Sequence, residues 1–125
     1  MTEAGLVALA EAYFAALDAR DPEDLAATLA EEAVLSIETH GIAHTGRDAI
    51  VRLFAARWEG PLRARHHDFT HSPAAAHGRI TSQFTVTYTG PEAPDPKSNA
   101  NVLTVAGDRI ARVQVYMAGD NTIRT

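Results

Sequence analysis

The stretch RITSQFTVTYT, residues 79 to 89, limits the possible folds more than any other part of the chain. Ile80, Phe84, Val86 and Tyr88 fall on one parity and Thr81, Gln83, Thr85 and Thr87 on the other, an alternation that an extended strand converts into one apolar and one polar face. Such a strand is stable only with strand neighbours and with an apolar layer against its inner face. The surrounding sequence supplies the neighbours. Leu62 to His71 alternates more weakly, Ala106 to Arg109 around Gly107 and Asp108 reads as a tight hairpin turn, and Val113, Val115 and Met117 give the last strand an inward side. The proline-rich run PEAPDPKSN, residues 91 to 99, reads as a loop between strands.

The covering layer comes from the first half of the chain. Between Glu3 and Ala19, Leu6, Leu9, Ala10, Tyr13, Phe14 and Leu17 recur at three- and four-residue spacing, which predicts a helix with one buried face. Asp21 before Pro22 fits an N-cap followed by proline at the first helical position, and Leu25, Leu29 and Ala33 continue a second short helix. Val34 to Thr39 is the opening strand. Gly41 and Gly46 bracket a turn or short hairpin, and Ile50, Val51, Leu53, Phe54 and Trp58 give a third helix that stops at Gly60 and Pro61. The expected architecture is α+β, with helices on one face of a curved antiparallel sheet.

Composition narrows the chemistry. A chain of 125 residues with 46% hydrophobic and 22% charged residues is expected to form one globular domain, 1–125. Its formal charge of −5 and the scattered arginines argue against a nucleic-acid partner. No apolar run reaches membrane-spanning length and the amino terminus lacks the basic-then-apolar order of a signal peptide, so a cytoplasmic protein without a membrane partner is expected. With no cysteine, thiolate chemistry and disulfides drop out together. Catalysis would have to use oxygen and imidazole groups.

Three segments together resemble one family: AYFAALDARDPEDLAATLAEEAV near the start, GRDAIVRLF after the first strand, and NVLTVAGDRIARVQVYM near the end. In that order and spacing the chain resembles the SnoaL-like and ketosteroid-isomerase-like branch of the nuclear transport factor 2 superfold. The resemblance implies a cone of three amino-terminal helices on a strongly curved, mostly antiparallel sheet enclosing one deep apolar pocket. It also implies a homodimer packed through the outer sheet face, and a cofactor-independent lyase or isomerase. The superfold hosts non-catalytic binding modules as well, so individual residues carry the functional argument.

In the isomerases a tyrosine of helix one and an acid on a late strand hold the substrate carbonyl while a carboxylate on the first strand moves the proton. Tyr13 falls at the tyrosine position and Asn101 at that of the late acid, where an amide is still a donor. At the base position, however, the chain reads LSIE, with Ile37 in place of the aspartate. Glu38 follows, but alternation sends it to the opposite face unless a bulge re-aims it. His66, in LRARHHDFTH, matches a pocket histidine of the SnoaL-like dehydratases, and near pH 7 an imidazole can both take and return a proton. It shares parity with Leu62, Ala64 and Asp68, whereas His67, Phe69 and His71 face the other way. Asp68 could orient it, and Asp18 resembles the aspartate that holds a second histidine in the dehydratases, for which no counterpart is evident on the 79–89 strand.

The expected pocket lining is Ile37, Phe54, Trp58, Phe84, Leu103, Val115 and Met117. His40 with His44, and His67 with His71, have four-residue spacing, which makes a shared metal-ligand face only on a helix, and these stretches read as turn and strand. No metal site is expected. Ser36, Ser72, Ser82 and Ser98 lack a nucleophile-elbow context. The expected function is acid–base chemistry on a small apolar carbonyl or hydroxyl compound: dehydration or cyclisation first, double-bond isomerisation second because of Ile37. The alternative is a ligand-binding or dimerisation module whose pocket outlived its catalytic group.

Overall fold

The first helix, α1 (Glu3–Ala19), starts at Thr2, whose hydroxyl accepts the Gly5 N–H at 3.0 Å. It stops at Arg20, which turns into the left-handed region with φ 55°. The predicted stripe is buried: Leu6, Ala10, Tyr13, Phe14 and Leu17 all face the core. Asp21 caps α2 (Pro22–Thr28) by accepting from the N–H groups of Glu23 and Asp24. The computed structural model describes residues 1–124 and continues with β1 (Leu29–Ile37), β2 (Ile42–Thr45), α3 (Arg47–Trp58), β3 (Arg63–Ala74), a 3-10 turn at Ala75–His77, β4 (Arg79–Thr89), β5 (Lys97–Ala106) and β6 (Arg109–Tyr116).

The six strands form one sheet in the order β2-β1-β6-β5-β4-β3. Neighbours run antiparallel except β1 and β6, which are parallel and pair Leu35 with Val113 and Ile37 with Val115. The fold is thus α+β with a mixed, predominantly antiparallel sheet. α1 packs on β3 and β4, and α3 packs on β1. Between them lie Leu25, Leu29, Leu35, Ile37, Ile50, Leu103, Ile110 and Val113, all without solvent exposure; each such burial stabilises the fold by roughly 1.5–3 kcal/mol. Among the described residues no helix is long and apolar enough to cross a membrane.

Two boundaries and one strand register differ from the sequence expectation. The second helix ends at Thr28, and Leu29 to Ala33 already belong to β1. Leu29 and Ala33 are four apart, a spacing that keeps two side chains on one face in a helix and, being even, in a strand as well. β5 begins at Lys97, so Ser98 and the buried Asn99 are strand residues rather than loop. β3 contains a bulge: the residues from His67 to Thr70 oppose only Thr85 to Gln83, and Asp68 takes φ 56°. The extra residue inverts parity. Phe69 and His71 therefore join His66 on the inner face, against the expectation that they face away. Phe69 packs on Phe14 and Phe84 at centroid distances of 4.9 and 5.6 Å. Asp68 leaves His66 altogether and lies 3.0 Å from Nδ1 of His67.

Candidate active site

Helix α1 and the first half of β3 meet at Asp18 and His66. Asp18 comes at the last turn of α1, one turn beyond the buried Phe14, and its carboxylate faces the β3 backbone. It accepts the His66 main-chain N–H, with both oxygens within 3.2 Å, and it meets the ring Nδ1 at 2.6 Å. An ionised carboxylate only accepts, so Nδ1 is the donor in this contact, and in the neutral ring the lone pair lies on Nε2. Phe14 and Phe84 hold the ring from two sides, at 5.4 and 5.2 Å between centroids. The Asp18 and His66 side chains remain 27% and 14% exposed. Behind the pair an outer groove of about 420 Å³ runs past Glu11, Asp18, Phe69 and His71.

In front of His66 lies a cavity of about 50 Å³. Tyr13, His66 and Asn101 border it together with Phe54, Trp58, Phe84, Val115 and Met117. Tyr13 is 1% exposed, and burial pushes its phenol above the ordinary tyrosine value. It is therefore a neutral hydrogen-bond donor throughout the physiological range. Asn101 is 4% exposed, and among the described residues its Oδ1 is a buried side-chain acceptor without a hydrogen-bond partner. An orphaned polar atom of this sort costs about 1–3 kcal/mol when nothing meets it. A cavity between this amide, a phenol and an imidazole offers a polar ligand both donors and acceptors.

Two lining expectations and one base expectation change. Ile37 and Leu103 are fully buried core residues that do not border the cavity. Ile37 pairs with Val115 in the parallel ladder and lies beside that cavity-lining residue without bordering the cavity itself. Glu38 lies outside. No bulge re-aims it: Ser36 pairs with Gln114 and Ile37 with Val115 in unbroken register, so Glu38 shares the outer face with Ser36. Its Oε1 accepts from Gln114 Nε2 at 2.8 Å and from the Ser36 hydroxyl at 3.0 Å, with Arg112 at 3.6 Å. Hydrogen bonds from Gln114 and then Ser36 hold its carboxyl below the ordinary glutamate value. A base in the cavity cannot come from here.

The remaining histidines are dispersed. His67 meets Thr87 at 2.7 Å on the outer face, His71 meets Ser82 at 2.8 Å, and His40 meets Thr39 in the β1–β2 turn. Among the described residues no three His, Asp or Glu side chains converge as a cation would require. Sequence reasoning missed Arg57, Asn99 and Tyr88, which also border the cavity. The signal was present for each. Arg57 lies three residues after Phe54 and beside Trp58 on one helix face, Asn99 shares the parity of Asn101, and Tyr88 shares that of Phe84.

The family model for the SnoaL-like domain matches residues 10–113. Among solved structures, a candidate polyketide cyclase from Xanthomonas campestris superposes with a TM-score of 0.79 at 21% identity, over 91% of this chain and 90% of that one. A second candidate polyketide cyclase, from Pseudomonas putida, gives a TM-score of 0.74 at 24% identity, covering 86% and 87% of the two chains. A candidate ketosteroid isomerase from Kribbella flavida gives 0.72 at 21% identity, covering 95% and 82%. At these identities the likeness establishes the fold. No curated protein matches the sequence significantly.

Proposed function

The chain belongs to the SnoaL-like domain family, and from that premise we propose that it is a cofactor-independent acid–base enzyme that dehydrates or cyclises a small apolar carbonyl compound. One observation carries this reading: His66, held by Asp18 from behind, stands in the wall of the cavity that Tyr13 and Asn101 also border. With Nδ1 committed to Asp18, Nε2 of His66 takes a proton from the carbon next to the substrate carbonyl. The Tyr13 hydroxyl donates to the carbonyl oxygen as it becomes an enolate oxygen, a donor role worth roughly 3–4 kcal/mol in a dry site. In a dehydration the β-hydroxyl then leaves as water, taking the proton held on Nε2. In a cyclisation the enolate carbon attacks a second carbonyl, and the resulting alkoxide takes that proton. Asn101 Oδ1 accepts from a substrate hydroxyl, and a half-turn of the amide offers Nδ2 to a carbonyl instead. Double-bond isomerisation ranks behind these, because the position used by its carboxylate base is Ile37, buried in the ladder.

α-Proton exchange of 2-tetralone in D₂O, followed by NMR, tests the proton-transfer half of the reaction without the native substrate. Wild-type protein accelerates exchange over buffer, His66→Ala returns it to background, and Tyr13→Phe lowers it by about 10²–10³-fold, with both variants folded. Exchange at the buffer rate in the wild type, or undiminished exchange in His66→Ala, sinks the proposal. The second reading is a ligand-binding or dimerisation module, favoured by the small size of the cavity, whose 50 Å³ admits only a few waters at roughly 10–15 Å³ each.

We propose further that the protein is a cytoplasmic homodimer joined through the outer sheet face. Val102, Gln114 and Thr85 are half-buried uncharged residues there, flanked by the Glu38–Arg112 contact and by Tyr116, which is 42% exposed. Sedimentation showing only monomer at micromolar concentration removes the dimer.

A further inference from the structure

The cavity is closed by the chain's own carboxy-terminal segment. Residues 118 to 123 follow β6 and bring Thr122 and Ile123 into the cavity wall. Arg57 Nε donates to the Thr122 main-chain oxygen at 2.5 Å, and the Tyr88 and Thr122 hydroxyls meet at 2.7 Å. Lys97 Nζ donates to the main-chain oxygens of Ala118 and Asp120, at 3.0 and 3.2 Å. On the far side of Thr122 runs a groove of about 410 Å³, bordered by Leu62, Lys97 and Arg124 among others. Arg57, Tyr88 and Thr122 border both spaces, so Thr122 is the partition between them. Ligand pockets for ring-sized molecules usually measure about 300–1,000 Å³. The cavity reaches that range when the partition moves and the two spaces join.

The partition's partners are cations. The protein carries a formal charge of −5, yet Arg57, Lys97 and Arg124 collect around this groove with only Glu92 and Asp120 as acids. Among the described residues neither Arg57 nor Lys97 has a carboxylate within ion-pair reach. The oxygens they meet are main-chain carbonyls of residues 118 to 122. Arg57 is half-buried, its guanidinium carbon 5.7 Å from the centre of the Tyr88 ring, and burial lowers its pKa from the ordinary arginine value. A partly desolvated guanidinium served by a neutral carbonyl gains when a carboxylate replaces it, because charge-assisted forked hydrogen bonds are about twice as strong as neutral ones.

We propose that Arg57, with Lys97 in the same groove, is the recognition site for a carboxylate carried by the substrate, whose apolar body enters the cavity as residues 118 to 123 lift away. The proposal rests on the reading of the cavity as a ligand site. The Thr122 carbonyl then stands where the substrate's anion binds, and the segment works as a selective plug. An acid that displaces it gives Arg57 a better partner, whereas a neutral ligand of the same shape breaks the Arg57–Thr122 bond without replacing it. Acids are selected at the mouth.

Calorimetric titration of the full chain with 2-naphthoate and with its neutral methyl ester separates the possibilities. The acid is expected to bind wild-type protein at least about tenfold more tightly than the ester, and rising salt should weaken the acid alone. Arg57→Gln abolishes the preference. Thr122→Val removes the hydroxyl bond to Tyr88 and tightens both ligands by about two- to fivefold, leaving the preference intact. Should Arg57→Gln fail to fold, the salt dependence and the Thr122→Val titrations carry the decision. If the ester binds wild type as tightly as the acid, or Arg57→Gln weakens both alike, the carboxylate assignment is overturned while the cavity remains a ligand site. If neither compound binds wild type or Thr122→Val, the assignment and the ligand-site reading fall together.

Discussion

Asp18 with His66 and Glu38 with Gln114 are two carboxylate clusters of similar make-up on opposite faces of one sheet. Each anion is fixed by two neighbours, Asp18 by the main-chain N–H and ring of His66, Glu38 by Ser36 and Gln114. Their chemistry differs because of what lies beyond the partner. His66 is a wall of an enclosed cavity that Tyr13 and Asn101 share, whereas Gln114 and Ser36 lie on the outer sheet face. A hydrogen-bonded acid becomes a catalytic device only where its partner faces a dry space that a substrate can fill. Glu38 is held as firmly and has no such space.

The strongest test of this contrast is to place an acid at the isomerase base position. Ile37 has no solvent exposure, and Ile37→Asp buries a carboxylate among aliphatic neighbours, so a loss of at least about 4 kcal/mol in urea unfolding is expected. A stable Ile37→Asp protein with steroid isomerase activity would show that this position opens to the cavity after all. Asp18→Asn comes next. It should lower 2-tetralone exchange on the order of 100-fold, within the roughly 10²–10⁴-fold that a positioned general base supplies, and ¹⁵N NMR of the His66 ring should show the Nδ1–H tautomer losing its dominance. Unchanged exchange in Asp18→Asn would reduce the aspartate to a structural tether.

Glu38→Gln should leave exchange unaltered and change only the acid limb of stability. The folded-state pKa of Glu38 is depressed, chiefly by the Gln114 and Ser36 hydrogen bonds. Its contribution is therefore fully present above the unfolded glutamate value, about 4.3, and disappears as pH falls through the lower folded value. Urea midpoints between pH 3 and pH 7 should fall less steeply on acidification in the variant. A slope identical to wild type would mean that Glu38 is held no better in the folded chain than in the unfolded one. The smallest effect is expected at His67→Ala, one residue from His66 and on the opposite face. Stability should change by no more than about 0.5–1 kcal/mol, with exchange as in the wild type. A large loss of exchange there would move the catalytic face of β3 to the outside.

Much of the site was legible before any coordinates because it depends on period. The α1 stripe aligned Tyr13 with the core face, whereas Asn101 came from the family resemblance, and the structure buries it in β5. Local parity failed at Asp68, where one residue in the left-handed region reverses every position after it in β3. Aspartate tolerates that conformation better than most residues, but nothing in RHHDFTH requires it. The partner of His66 was misjudged for a related reason. Asp68 is close in sequence, whereas Asp18 reaches the ring only because α1 lies across β3.

By itself, the sequence determined most of the elements and, outside the β3 bulge, their inner faces, since these follow from the spacing of apolar residues a few positions apart; the family followed from the order of three longer segments. The tertiary structure alone decided which acid holds His66, that Gln114 holds Glu38 on the outer face, and that Thr122 separates the cavity from the groove beside Arg57. Those contacts join residues 48, 76 and 65 positions apart. Over such separations chain periodicity carries no information, and only the packing of helices on the sheet fixes who meets whom.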